Sequence, residues 1–230
     1  MKNSIIIFDL DGTLVDSASD LFDSLNNTFI HHGIPACKST KASQLVGGGG
    51  RVMIKRALAL QQRAAPPNLV NTLYQDFLSH YAINMPGKTQ FFPGSLPCLD
   101  ALQQAGYALA LCTNKSEHLA RLLLEKLGEA NRFIALCGGD SFPYKKPDKR
   151  HILSTLSMAS HALSDKTKYT ALMVGDSAAD IQAAKGAGIP VVAVDFGYSD
   201  IPVKRLNPTR TVSHFNELTP TFVAQLLQAP

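Results

Sequence analysis

Two carboxylates, Asp9 and Asp11, stand two residues apart at the end of the apolar run 5–8. A strand alternates its faces, so the two side chains share one side only while the chain stays extended, and Gly12 then permits a sharp departure. Two like charges held this close are costly unless a cation or a shared proton offsets them. The spacing therefore predicts a divalent metal site, an acid/base pair, or both.

Four more short apolar runs follow the first one along the chain. Continuous runs of this kind suit a parallel sheet that is buried on both faces. The stretches between them end at glycines that suit helix C-termini, as crossover helices would. The sequence therefore predicts an α/β fold with a doubly wound parallel sheet. The predicted strands are 5–8, 108–113, 133–137, 171–174 and 191–194, and the predicted crossover helices are 97–105, 116–127 and 178–187.

From about residue 17 to residue 86 this alternation stops, and apolar residues recur with helical spacing. The helical faces lie within 21–29, 52–60 and 69–81. This segment predicts a small helical domain, inserted between the first strand and the rest of the sheet. Closure of such a domain over the sheet would exclude bulk water, with hinges predicted near 16–19 and 85–88.

Polar residues follow the later strands as well. They are Thr113–Lys115 after the second strand, Lys145–Pro147 beyond the third, and Gly175–Asp180 after the fourth. Ligands of open parallel sheets bind at the carboxyl ends of the strands, so these groups should converge with Asp9 and Asp11. We expect one site that holds four acids, a hydroxyl and a lysine.

Composition narrows the class of protein. The chain has 230 residues, 45% of them apolar, and a formal net charge of +4 without a run of basic residues. This disfavours nucleic-acid binding, and no apolar stretch reaches the roughly 20 residues that span a bilayer. The four cysteines lack metal-site spacing and are expected to be free thiols. We expect a cytoplasmic monomer or homodimer that binds neither membrane nor nucleic acid.

Four motifs, taken in order, resemble those of the haloacid dehalogenase (HAD) superfamily, specifically its phosphatases with a helical cap inserted after the first motif. They are DxDGT at 9–13, a strand ending in Thr113, Lys146-Pro147, and GDSxxD at 175–180. The resemblance covers nearly the whole chain. It implies a HAD-like, Rossmann-like core formed by residues 1–16 and 88–230, and an α-helical cap formed by residues 17–87 that selects the substrate.

The resemblance also implies catalytic roles. Asp9 would attack phosphorus to form an aspartyl-phosphate, and Asp11 would protonate the leaving oxygen and later activate water. Thr113 would bind the phosphoryl group, and Lys146 would hold that group against the nucleophile. Lys145, directly beside Lys146, is the alternative lysine.

The implied cofactor is Mg²⁺, which prefers oxygen ligands and usually keeps several waters. Asp9, the backbone carbonyl of Asp11, and Asp176 would supply the protein ligands. Asp180 would bind the ion directly or through water. Each of these aspartates has a structural alternative, because an acid after a strand is commonly a turn or helix-cap residue.

The substrate is expected to meet both parts of the chain. Near the nucleophile we expect Gly12, Thr13 and Asn114 to contact it. In the predicted cap, the glycine loop 47–50 leads into a helix at Arg51, where N–H groups and a guanidinium can receive an anion. A plain linker with a solvent-facing arginine is the alternative.

Weaker local similarities point to a subfamily. The segments Phe92–Gly94, Thr113–Lys115, Lys145–Asp148 and Phe196–Pro202 resemble those of bacterial phosphoglycolate phosphatases. The implied reaction is 2-phosphoglycolate plus water giving glycolate plus phosphate. The alternatives are a phosphatase for pyrophosphate, nucleotides or sugar phosphates, a β-phosphoglucomutase-like phosphomutase, or a protein that binds a phosphorylated ligand without turnover.

Overall fold

The structure is a computed structural model that describes residues 4–38, 45–163 and 169–228. Residues 1–3, 164–168 and 229–230 of the predicted core and residues 39–44 of the predicted helical insertion lie outside the described residues. In chain order the strands are β1 (Ser4–Phe8), β2 (Val15–Asp16), β3 (Gln90–Phe91), β4 (Ala108–Cys112), β5 (Ala135–Cys137), β6 (Thr170–Gly175), β7 (Val191–Val194) and β8 (Arg210–Val212).

The central sheet has six strands in the order β5-β4-β1-β6-β7-β8, and every neighbouring pair is parallel. The helices of the described residues are α1 (Ala18–His31), α2 (Gly50–Leu60), α3 (Pro67–Asn84), α4 (Ser95–Gln104), α5 (Glu117–Lys126), α6 (Lys149–Ser160), α7 (Ala178–Ala187) and α8 (Pro220–Gln228). None of these helices is long and apolar enough to cross a bilayer.

β1 lies in the middle of the sheet because its side chains are apolar on both faces. Ile6 and Phe8 belong to the hydrophobic cluster on one face, and Ile5 and Ile7 belong to the cluster on the other. All four side chains are buried. A strand buried on both sides needs continuous apolar sequence, as the sequence analysis predicted.

The helices α1, α2 and α3 pack on one another and form a third hydrophobic cluster. Leu25 and Phe29 come from α1, Ile54 from α2, and Leu73 and Phe77 from α3. These positions follow the helical spacing of each segment, so each helix buries one apolar stripe.

Both ends of this helical segment are tied to each other. β2 and β3 pair antiparallel, with Val15 opposite Phe91. The carboxylate of Asp20 accepts hydrogen bonds from the N–H groups of Gly87 and Thr89, each over 2.9 Å. The chain therefore leaves and re-enters the sheet layer through adjacent strands.

The predicted α/β fold class is confirmed, and all five predicted strands are present. The third predicted strand is shorter than expected, because a 3₁₀ turn at Ala130–Arg132 delays its start to Ala135. The edge strand β8 and the short pair of β2 and β3 were not predicted. The four cysteines are buried and free, as expected.

Candidate active site

The three central strands β4, β1 and β6 end at the same edge of the sheet. Thr113, Asp9 and Asp176 each follow one of these strands directly. Backbone pairing continues into two of them, because the Asp9 N–H donates to Val174 O over 2.9 Å and the Thr113 N–H donates to Cys137 O over 3.0 Å. The sheet thus brings three predicted site residues together, and it fixes the backbone from which two of them project.

The carboxylates of Asp9, Asp176 and Asp180 form a buried cluster in which one oxygen from each lies within 4.8 Å of the others. Burial raises the pKa of Asp9 to about 6, although Lys146 opposes that shift. Burial, together with the charges of Asp180 and Asp9, raises the pKa of Asp176 to about 8. A divalent cation would offset the repulsion between these carboxylates, and an all-oxygen donor set suits a hard cation. The residues therefore fit a metal ion.

Lys146 reaches into this cluster from the loop beyond β5. Its Nζ lies 3.1 Å from Asp9 Oδ1 and 2.6 Å from Asp180 Oδ1, and its side chain is 1% exposed. Burial by itself would lower the pKa of Lys146, but the two carboxylates raise it above its ordinary value. The neighbouring Lys145 is exposed, so the structure favours Lys146 of the two adjacent lysines.

Asp180 uses both of its oxygens within the protein. Oδ1 accepts from Lys146, and Oδ2 accepts from the N–H of Ser177 over 3.0 Å and from its hydroxyl over 2.6 Å. The contacts with Ser177 close a capping box at the start of α7. This arrangement favours a role in positioning Lys146, with any contact to a metal ion made through water.

Asp11 faces a partner that the sequence analysis did not single out. The Nζ of Lys115 lies 3.1 Å from both carboxylate oxygens of Asp11 and 2.9 Å from the hydroxyl of Tyr81 on α3. The hydroxyl of Ser17 donates to Asp11 Oδ1 over 2.6 Å. Burial by itself would lower the pKa of Lys115, but Asp11 and Tyr81 raise it above its ordinary value.

Gly12 and Thr13 both lie next to the Asp176 carboxylate. The Thr13 hydroxyl donates to Asp176 Oδ1 over 3.0 Å, and the N–H of Tyr198 donates to Oδ2 over 2.6 Å. Gly12 has φ +82°, and a Cβ there would lie 2.6 Å from Asp176 Oδ2. Only glycine therefore fits at this turn. Neither Gly12 nor Thr13 is among the cavity-lining residues, so their contact with substrate stays a prediction.

Thr113 and Asn114 lie on the cavity wall. The Thr113 Oγ1 accepts from the N–H of Lys115 over 3.2 Å, and the Asn114 Nδ2 donates to Lys146 O over 2.9 Å. Within the described residues the buried Oδ1 of Asn114 has no hydrogen-bond partner. Both side chains are placed where they could meet a phosphoryl group.

A cavity of about 270 Å³ covers these residues and is walled by the sheet edge on one side and by the helical segment on the other. The helical segment contributes the Gly47–Gly50 loop and three aromatic residues. Those aromatic residues are Tyr74, Phe77 and Tyr81.

Comparison with known proteins identifies the family. The sequence model for haloacid dehalogenase-like hydrolases matches residues 6–194, which include Asp9, Asp11, Lys146, Asp176 and Asp180. The chain belongs to the haloacid dehalogenase-like hydrolases. The family predicted from the motifs is thus confirmed.

Curated relatives match this chain over nearly its whole length. A phosphoglycolate phosphatase from Mesorhizobium japonicum is 45% identical over 229 residues, which are 100% of this chain and 99% of the relative. A phosphoglycolate phosphatase from Agrobacterium fabrum is 46% identical over 223 residues, 97% of this chain and 94% of the relative. These two relatives have nearly the same extent as this chain.

A solved structure supports the same fold. The crystal structure of a predicted phosphoglycolate phosphatase from Haemophilus somnus superposes with a TM-score of 0.81 at 28% identity. The match covers 95% of this chain and 97% of that chain. The HAD-like, Rossmann-like core predicted from the motifs is therefore confirmed.

The two arginines of α2 occupy different places in this hydrolase. Arg51 is exposed, its guanidinium lies 4.2 Å from the centre of the Tyr74 ring, and it contacts Asn71. Arg56 lines the cavity and pairs with Asp200 over 2.5 Å. Arg51 is not among the cavity-lining residues, so its predicted contact with substrate stays a prediction, and the geometry favours Arg56.

Proposed function

We propose that this hydrolase is a metal-dependent phosphatase that converts 2-phosphoglycolate and water to glycolate and phosphate. The observation that carries the substrate is the 45% identity, over the full chain, to a relative named phosphoglycolate phosphatase. The cavity agrees with it, because an ionisable nucleophile, a buried lysine and a carboxylate cluster meet at one point.

In the first step Asp9 attacks phosphorus, the bond to the ester oxygen breaks, and an aspartyl-phosphate forms. Asp9 is well placed for this attack because Leu10 N–H donates to its Oδ1 over 2.8 Å and Lys146 contacts the same oxygen. Asp11 gives its proton to the leaving oxygen, so glycolate departs as the alcohol. Thr113 and Asn114, which follow the neighbouring strand β4, bind phosphoryl oxygens.

In the second step water attacks the aspartyl-phosphate. Asp11 takes the proton of that water, phosphate leaves, and the Asp9 carboxylate is regenerated. Asp11 is suited to this task because Ser17 and Lys115 donate to its oxygens and hold the carboxylate in place. The same carboxyl group thus acts as acid and then as base.

We propose Mg²⁺ as the cofactor, held by Asp9, Asp176 and the backbone carbonyl of Asp11. A bound Mg²⁺ would neutralise phosphoryl charge during transfer. Asp176 supports this assignment because its oxygens are oriented by Thr13 and Tyr198 toward the two other carboxylates of the cluster.

We propose that residues 17–87 act as the cap and that residues 1–16 and 88–230 act as the catalytic core. The walls of the cavity support this division, because the chemistry-bearing residues come from the core and the apolar wall comes from α2 and α3. Tyr198 of the core donates to Asp16 over 2.7 Å and accepts from Ser17 N–H over 2.7 Å, beside the first predicted hinge. A cytoplasmic location and a monomeric or homodimeric state stay predictions from the sequence.

The test is phosphate release by the purified protein, with Mg²⁺ and with EDTA, on 2-phosphoglycolate, pyrophosphate, nucleotides and sugar phosphates. We expect metal-dependent turnover with kcat/KM for 2-phosphoglycolate about 100-fold above the others. Asp9→Asn should lower kcat by about 10³-fold or more while the folded state persists. Preference for another ester would overturn the substrate, and full activity of Asp9→Asn would overturn the nucleophile.

A further inference from the structure

Three cationic side chains line the described part of the cavity: Lys146, Lys115 and Arg56. Lys146 is engaged with Asp9 and lies at the phosphoryl end. Arg56 lies at the rim, where it pairs with Asp200, an aspartate whose side chain is 57% exposed. Lys115 holds the Asp11 carboxylate in the steps described above but contacts no part of the substrate in them.

Lys115 is held rigidly for a residue of its type. Its side chain is 5% exposed, and its Nζ lies 4.3 Å from the centre of the Tyr81 ring while it donates to the Tyr81 hydroxyl. Tyr81 is itself buried and stacks on Phe77, with 6.0 Å between ring centres. A lysine normally keeps its ammonium in water, so a buried one needs polar or anionic partners, which Asp11 and Tyr81 provide here.

The position of Lys115 relative to Asp11 decides which anion it meets. Asp11 must face the leaving oxygen, and Lys115 contacts both oxygens of Asp11. The ammonium is therefore adjacent to the leaving oxygen as well. In 2-phosphoglycolate one methylene separates that oxygen from the carboxylate.

We propose that Lys115, supported by Tyr81, forms the subsite for the substrate's carboxylate, and that the pocket selects phosphate esters with a carboxylate one carbon from the ester oxygen. This inference rests on the proposed function. In the complex the Lys115 ammonium contacts both the substrate's carboxylate and Asp11. Tyr81, a residue of the cap, accepts a hydrogen bond from the same ammonium. An ester without the carboxylate leaves the buried ammonium paired with Asp11 alone and loses the contact with Lys115, which is the basis of discrimination.

The test compares 2-phosphoglycolate with ethyl phosphate, in which a methyl group replaces the carboxylate. We expect Lys115→Met to lower kcat/KM for 2-phosphoglycolate by about 100-fold and for ethyl phosphate by less than about 10-fold. Inhibition by glycolate should weaken about 10-fold or more in the same variant. Lys55→Met, the same change at an exposed lysine of α2, should leave both substrates unchanged.

Tyr81→Phe keeps the ring and removes the hydroxyl, so it tests the subsite even if Lys115→Met fails to fold. We expect it to lower kcat/KM for 2-phosphoglycolate by about 5-fold and to spare ethyl phosphate. An equal loss on both substrates in these two variants would mean that Lys115 acts only through Asp11, and would overturn the subsite. A selective loss in Arg56→Met, with none in Lys115→Met, would move the carboxylate to Arg56.

The wild-type protein separates this inference from the proposed function. If it hydrolyses both esters equally well with metal, the proposed substrate fails, and the carboxylate subsite fails with it. If it prefers 2-phosphoglycolate and Lys115→Met keeps that preference, the proposed function stands and only the subsite fails.

Discussion

Lys146 donates to Asp180 over 2.6 Å inside the protein, and Asp180 is at the same time the third residue of α7, where its carboxylate accepts from the N–H of the N-cap residue Ser177. The Asp180 carboxylate thus accepts from Ser177 at the start of the helix and also holds Lys146 beside Asp9. The Lys146 side chain is 1% exposed and pairs with two carboxylates. Removing it would cost much free energy of unfolding, since breaking a buried ion pair leaves an unpaired charge. Helix capping and the electrostatics of the cavity are thus one arrangement.

The adjacent lysines 145 and 146 offer a matched test of this arrangement. Lys146→Met should lower kcat/KM for the preferred ester by about 10³-fold, because the phosphoryl charge and Asp9 both lose their positive partner. It should also lower the free energy of unfolding by about 3–5 kcal/mol. Steady-state kinetics and urea unfolding measure the two effects.

The control is Lys145→Met, the same change one residue earlier at an exposed side chain. It should change the free energy of unfolding by no more than about 0.5 kcal/mol. Equal kinetic losses in both variants would contradict the assignment of Lys146. Should Lys146→Met fail to fold, Asp180→Asn tests the same contact with the lysine still present.

Gly12 provides a second test, because the effect of its positive φ can be distinguished from the effect of its close contact with Asp176. A Cβ at Gly12 would lie 2.6 Å from Asp176 Oδ2 and 2.8 Å from the Tyr198 ring. Gly12→Ala should therefore displace Asp176 and raise the Mg²⁺ dissociation constant by about 10-fold or more, which titration calorimetry measures.

Gly128→Ala is the matched control for backbone strain. Gly128 has φ +79°, close to the +82° of Gly12, but nothing lies within 4 Å of the position of its Cβ. This variant should lose about 1 kcal/mol of stability and keep its affinity for Mg²⁺. If Gly12→Ala behaves like Gly128→Ala, then Gly12 serves only the turn and does not support Asp176.

The residues at the strand ends could be predicted from the sequence for a physical reason. A buried strand needs an apolar run, and the polar residue that ends the run must lie at the sheet edge, as Asp9 and Asp176 do. The edge strand β8 escaped prediction because it has three residues, two of them polar, and no continuous apolar signal.

The environment of Lys115 could not be predicted in this way. Its burial depends on Tyr81, which comes from a helix earlier in the chain, and local sequence carries no signal for that contact. The arginines of α2 illustrate the same limit. Arg51 and Arg56 are five residues apart, so on a helix they point about 140° away from each other, and only packing decides which one faces the cavity.

Replacing Asp176 should abolish the stabilisation of the folded state by Mg²⁺. In the wild-type protein, Mg²⁺ at about 100 times its dissociation constant should stabilise the folded state by about 2.7 kcal/mol. In Asp176→Asn we expect no shift of Tm at that concentration, because a charged ligand of the cluster is gone. Asp23→Asn, the same change at an exposed acid of α1, should keep the shift. A full shift in Asp176→Asn would contradict its assignment as a ligand.

His151 should make stability depend on pH between about 4 and 6.5. It is buried, its Nδ1 accepts from the N–H of Lys146 over 3.2 Å, and burial with the nearby Lys146 charge lowers its pKa to about 4. Below pH 6.5 the unfolded chain takes up a proton that the folded protein accepts only near pH 4, so stability falls as pH falls.

The contribution of His151 over this range is on the order of 3 kcal/mol. His151→Gln should flatten the fall by that amount in urea unfolding measured from pH 4 to pH 7, because glutamine does not titrate. His161→Gln, at an exposed histidine that follows the same helix, should keep the wild-type slope. Parallel profiles for the wild type and His151→Gln would mean that His151 is protonated in the folded state as readily as in the unfolded chain, and that the Lys146 charge does not reach it.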